Sequence, residues 1–135
     1  MGRKQARETA MQCLYQLEMH GEYTVERVDL YIDGVSQNSA DKNFVADVVK
    51  NYIDNQEKVD EEIKTHLKKE WKLDRIAKID LAILRVALTE ILYYEDIPES
   101  VSINEAVDLS KKFSDETSSK FINGLLGAVV GNKKD

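Results

Sequence analysis

A single cysteine, Cys13, excludes an internal disulfide framework. It falls in an apolar helical stripe, which points to a buried small hydrophobe rather than a reactive thiol, and the expected setting is reducing and cytoplasmic. One proline, Pro98, and six glycines in 135 residues leave too little turn chemistry for an all-β chain of this size. No apolar run reaches the roughly 18 residues that a membrane helix needs, and the N-terminus lacks the apolar core of a signal peptide, so no membrane partner is expected. The two histidines, His20 and His66, stand apart from any cysteine or acidic pair at ligand spacing, which argues against a metal site. There is no glycine-rich phosphate loop; Gly124, Gly127 and Gly131 recur at helical spacing, where close packing or fraying explains them better. No serine pairs recognisably with a histidine and a carboxylate, so neither catalysis nor a cofactor is expected.

What is present is helix-forming material and acid. Alanine, leucine, glutamate and lysine are abundant, so the expected class is all-α, in one domain covering residues 1–135. Nineteen Lys and Arg against 25 Asp and Glu give a net charge of −6, a field that repels phosphate at long range. Any nucleic-acid site must therefore be local.

Apolar periodicity predicts about seven helices. Residues 2–20 bury Ala6, Ala10, Cys13, Leu14 and Leu17. A second helix carries Val25, Val28, Leu30, Tyr31 and Ile32, closed off by Asp33-Gly34 and Ser36-Gln37-Asn38-Ser39. The third presents Phe44, Val45, Val48, Val49, Tyr52 and Ile53, and the fourth a narrow Val59, Ile63, Leu67 stripe ending near Lys68 and Lys69. Trp71 reads as a wedge between two sub-bundles, about residues 1–70 and 71–135. Asp74 is placed to cap a helix that stays apolar on nearly every side from Ile76 to Leu92, the expected core element. After the Ile97-Pro98 turn, Ser102-Ile103-Asn104-Glu105 has the form of a capping box, predicting a helix from near Ile103 to Phe113. Residues 114–118 break the pattern, Phe121 to Val130 carry the last helix, and Gly131 onward reads as a frayed polar tail.

The one reversal of the acidic charge lies at the start of the first helix. At about 100° per residue, Arg3, Lys4, Arg7, Met11 and Tyr15 share a stripe beside the apolar one. Cations that hold phosphates beside a ring that stacks on an unpaired base are the elements of a single-strand-binding surface. The plainer reading is a solvent-facing helix start. Lys111, Lys112 and Lys120, followed by Phe121, make a second basic-aromatic patch, although Phe121 also has the phase of a core residue. Arg85 interrupts the most apolar helix and must reach either a carboxylate or the surface; an ion pair and an RNA contact both fit.

Taken in order, several blocks resemble the NusB family of bacterial transcription antitermination factors. They are Arg7-Glu8 leading to Leu14-Tyr15, Ala82-Ile83-Leu84-Arg85-Val86-Ala87 followed by Glu90, Val101-Ser102-Ile103-Asn104-Glu105-Ala106-Val107, and Ser119-Lys120-Phe121-Ile122-Asn123-Gly124-Leu125-Leu126. The resemblance spans essentially the whole chain. It implies an all-α fold of two small packed bundles without catalytic activity. It also implies binding of single-stranded boxA RNA in ribosomal RNA leaders together with NusE, a small-subunit ribosomal protein, within an antitermination assembly on RNA polymerase. RNA contacts carry over to Arg3, Lys4, Arg7, Tyr15, Lys120 and Phe121, with Arg85 and the Val101-Ser102 turn as further contributors. Gln5 interrupts the basic run, leaving three cations before Glu8, so the phosphate contribution is modest and a protein partner is implied. For that basic partner the expected face is acidic: Asp74, Asp80, Glu90, Glu95 and Asp96, which read equally as a solvated surface. Two alternatives stand beside this reading. One is a helical adaptor in ribosomal RNA processing or modification without direct RNA binding. The other is the NusB-like domain fused to ribosomal RNA cytosine methyltransferases, for whose α/β domain a chain ending at Asp135 leaves no room. Monomer and dimer are both compatible with the family.

Overall fold

A computed structural model of the chain describes residues 3–34, 39–67 and 72–134, with the side chains of 39–41 and 132–134 left out. Among the described residues there are seven α-helices and no strand: α1 Arg3–His20, α2 Val25–Asp33, α3 Ser39–Asp54, α4 Gln56–Thr65, α5 Lys78–Tyr93, α6 Glu99–Phe113 and α7 Glu116–Lys134. A single 3-10 turn, Leu73–Arg75, precedes α5. The expected helix ends at Lys68 and Lys69, the Ser36-Gln37-Asn38 stretch and the Trp71 wedge lie outside the described residues.

Local chemistry sets most boundaries. Gly21 ends α1 at φ +72°, a left-handed conformation open to glycine, and its N–H returns to the Leu17 carbonyl at 2.8 Å. The Thr24 hydroxyl caps α2 by accepting from the Arg27 N–H at 3.2 Å. Asp115 caps α7 by accepting from the Ser118 N–H at 2.8 Å, so the break after α6 is shorter than residues 114–118. Two expected caps are corrected. Asp74 lies in the 3-10 turn, and α5 starts at Lys78, because Ile76 adopts an extended conformation that buries its side chain. Helix α6 starts at Glu99 behind Pro98, whose fixed φ suits a helix entry. Ser102 and Glu105 therefore sit inside α6 and make tertiary contacts in place of a capping box. The C-terminal correction is similar: α7 continues through Gly131 to Lys134.

Helix α5 is the core. Every residue from Asp80 to Ile91 is buried, and α5 packs against α1, α3, α4, α6 and α7. Helix α1 packs on α3 and α5, α2 covers α3 and α1, and α7 lies against α6. One apolar cluster runs from Ala6 to Val129 and takes in Cys13, whose thiol burial pushes up to about 12, leaving it protonated and inert at neutral pH.

The central position of α5 and α1 overturns several surface assignments. Arg7 is 6 % exposed and gives its Nε hydrogen to Glu90 at 2.7 Å. Glu90 is fully buried and also accepts from the Ser102 hydroxyl at 2.8 Å. Met11, on the same stripe as Arg7, is likewise buried, so this side of α1 faces the protein interior. For Arg85 the ion pair prevails over the RNA contact. Its guanidinium holds Asp60 in a two-pronged contact at 3.1 and 3.0 Å, and it donates to Glu18 at 2.8 Å and to the Tyr23 hydroxyl at 2.9 Å. Tyr23 in turn donates to Glu18, and Tyr52 donates to Asp60. Burial alone would lower the Arg85 pKa, but Asp60, Tyr52 and Glu18 outweigh it and raise it. Asp80 accepts from the Ser118 hydroxyl at 2.6 Å and is buried, and its second carboxylate oxygen has no partner among the described residues.

Two outcomes follow from these clusters. Glu90→Ala strands a buried guanidinium and a hydroxyl and is expected to cost about 3–5 kcal/mol in urea denaturation, whereas Arg7→Met with Glu90→Leu recovers much of the loss. Additive losses in that cycle would show that the pair is not coupled. The second outcome concerns acid. Burial would raise the Glu18 carboxyl, but the Tyr23 hydroxyl and Arg85 prevail and hold it below the usual glutamate value. Its contribution is therefore fully present above the unfolded pKa and lost as pH falls through the lower folded one. Glu18→Gln should flatten the stability–pH curve below about pH 4.3, where the wild type continues to lose stability.

Candidate nucleic-acid interface

The cations of α1 part company in the structure. With Arg7 inside, Arg3 and Lys4 remain exposed, and they lean to different neighbours. The Arg3 guanidinium lies 4.1 Å from the centroid of the Phe44 ring on α3. Phe44 meets Tyr94 edge to face at 6.1 Å, and the Tyr94 hydroxyl donates to Asp47. The result is a short tier of cation, ring and ring. The periodicity of α3 places Phe44 in the core, and it is indeed 8 % exposed. Nothing in the periodicity marks it as the base on which an N-terminal arginine rests.

Lys4 leans the other way, toward α6. Its Nζ donates to Glu105 at 3.3 Å and to Asp108 at 3.2 Å, and these hydrogen bonds raise its pKa. Lys112, one turn further along α6, donates to Glu8 of α1 at 2.9 Å. Between the two helices lies a cleft of about 400 Å³ lined by Lys4, Gln5, Glu8, Glu105, Asp108, Leu109 and Lys112. A signal for this pairing was present: Lys4 and Glu8 are one turn apart on α1, as Asp108 and Lys112 are on α6, in complementary order.

Tyr15 is half-buried and packed against the core. Lys120 is exposed on the first turns of α7, and Phe121 is half-buried. Phe121 lines a separate apolar cavity of about 370 Å³ with His66, Leu67, Thr117, Gly124, Leu125 and Ala128. Gly124, Gly127 and Gly131 are exposed, with nothing within 4 Å of where a Cβ would stand, so close packing does not explain them.

The acidic set is split as well. Asp74, Glu95 and Asp96 are exposed, whereas Asp80 and Glu90 are inside. Asp74 precedes α5 and Glu95 follows it, so the 16 residues of that helix, about 24 Å at 1.5 Å each, lie between them. The five residues therefore do not make one acidic face. Among the described residues no group of acids, histidines or cysteine is arranged to hold a metal ion, and no helix is long and apolar enough to cross a membrane.

Comparison with known proteins covers the whole of this architecture. The NusB family model matches residues 4–131. The transcription antitermination protein NusB of Acetivibrio thermocellus is 46 % identical over 130 residues, 96 % of this chain and 89 % of that protein. NusB of Finegoldia magna is 42 % identical over 135 residues, all of this chain and 98 % of that one. Among solved structures, T. maritima NusB superposes with a TM-score of 0.85 at 26 % identity, covering 96 % of this chain and 92 % of that one. A chain from a crystal structure of antitermination factors NusB and NusE in complex with dsRNA superposes at 0.81 with 28 % identity, covering 94 % of each. With the family model matched over residues 4–131 and relatives above 40 % identical across nearly all of its length, this chain belongs to the NusB family.

Proposed function

We propose that this protein is a non-catalytic transcription antitermination factor that binds single-stranded boxA-type RNA of ribosomal RNA leaders jointly with NusE, within an assembly on RNA polymerase. The observation that carries this reading is the likeness, over 94 % of the chain, to a component of the structure containing NusB, NusE and dsRNA, which supports RNA binding together with NusE. The surface is compatible with it. Arg3 above Phe44, Lys4, the half-buried Tyr15, and Lys120 with Phe121 supply cations and aromatic rings on a rigid helical frame. Arg7 and Arg85 serve this function indirectly, by holding α1 and α5 in place, since their charges are satisfied internally. NusE, a basic protein, meets exposed acids such as Asp74, Glu95 or Asp96 rather than Asp80 or Glu90.

Few cations remain for phosphate, so affinity depends on the partner. Titration of labelled boxA RNA at moderate salt is expected to give weak binding by the protein alone and clear binding once NusE is added. No binding in either case would reject the reading in favour of an adaptor without RNA contact. Arg3→Ala and Lys120→Ala should each weaken the ternary complex a few-fold and lower the salt slope by about 0.7, the value for one phosphate on a single strand, with unfolding unchanged for Lys120→Ala and at most about 1 kcal/mol lost for Arg3→Ala, which gives up its contact with Phe44. Arg7→Ala should instead lose fold stability, because its partner Glu90 is buried.

A further inference from the structure

The cleft between α1 and α6 holds a pattern that the RNA reading does not explain. Both of its lysines are already occupied: Lys4 by Glu105 and Asp108, Lys112 by Glu8. All five groups come from two facing helices and line one cavity of about 400 Å³, within the roughly 300–1,000 Å³ of small-ligand pockets. The lysine side chains are 67 % and 62 % exposed, so these pairs are weakly held and can exchange partners. A phosphate arriving at Lys4 or Lys112 must compete with the carboxylates, and once it has displaced them it lies within a Debye length of three negative charges. Generic RNA is penalised by that arrangement. An RNA whose base offers an exocyclic amino group to the released carboxylates is not, because carboxylates accept from amino groups on base edges, whereas the N3–H of uracil is flanked by two carbonyl oxygens that a carboxylate repels.

We propose that the α1–α6 cleft is a nucleotide subsite in which Lys4 and Lys112 take a phosphate while Glu105, Asp108 and Glu8 receive an amino-bearing base, so that these carboxylates set RNA selectivity. This rests on the RNA-binding reading above. Uracil, which has no exocyclic amino group, is the base this subsite disfavours most. The net charge of −6 acts in the same direction at long range, and the cleft applies it at contact distance.

The test uses the full chain with NusE and two labelled RNAs, a boxA-type single strand and an oligouridylate of equal length. The variant is Glu105→Gln with Asp108→Asn, and the control is Glu26→Gln with Asp33→Asn on the exposed side of α2, which changes net charge equally. The cleft variant is expected to bind oligouridylate about 3- to 10-fold more tightly, gain little or nothing on boxA RNA, and show a steeper salt slope by about 0.7. Lys4→Gln in the same background should cancel the gain. The control should change both RNAs alike and by less. Wild-type binding of boxA RNA with an unchanged oligouridylate affinity in the cleft variant would overturn the subsite alone, as would equal gains in variant and control. Binding of neither RNA by any form would overturn the functional reading and the subsite with it.

Discussion

A helix buried on every side that still carries an arginine, a glutamate and an aspartate dictates how the rest of the molecule must be arranged. Asp80, Arg85 and Glu90 on α5 are all buried, so the helices around them have to bring polar partners to fixed heights. Helix α1 brings Arg7 and Glu18, α4 brings Asp60, α6 brings Ser102 and α7 brings Ser118. Sliding α5 by one turn, about 5.4 Å, would break all of these contacts together and leave buried charges unpaired. Apolar packing alone tolerates such slips better, because one leucine replaces another along an all-round apolar helix. The polar contacts therefore select one register, and the apolar cluster supplies the bulk of the stabilisation.

The same constraint decides which side chains are left for function. Helix α1 gives Arg7, Met11 and Glu18 to the interior contacts and keeps Arg3 and Lys4 outside. A helix packed against α2, α3, α5 and α6 has little free circumference, so a stripe that a helical projection assigns to solvent is covered by a second layer. The exposed cations of α1 are thus confined to its first turn.

Helix count, the central place of α5 and the apolar faces of α1, α3 and α7 were legible in the sequence, because each rests on periodicity within one helix. The misreadings share a cause. The Ser102-to-Glu105 pattern matches a capping box in sequence, but Pro98 starts the helix earlier and Glu90 and Lys4 claim the two side chains. Asp80 and Glu90 were assigned to a surface because acids rarely lie inside, a rule that fails where Ser118, Ser102 and Arg7 converge on them. Arg85 was legible to the extent that an arginine in that apolar run needs a carboxylate; that Asp60 and Glu18 supply it, from 25 and 67 residues away, is a long-range fact that no local pattern encodes.

Charge is consequently allocated in two tiers. The innermost arginines are buried in ion pairs, Arg7 with Glu90 and Arg85 with Asp60 and Glu18, so salt screens them far less than it screens exposed pairs. The outer lysines are exposed and committed only loosely, to an exposed Asp108 and to half-buried Glu105 and Glu8. A polyanion can compete for the second tier and not for the first, which limits the phosphate contacts available to a protein of net charge −6. On the proposed function, affinity for RNA then comes from stacking planes and from a partner's surface. A frame held rigid by its buried ion pairs can present those planes without having to order them on binding.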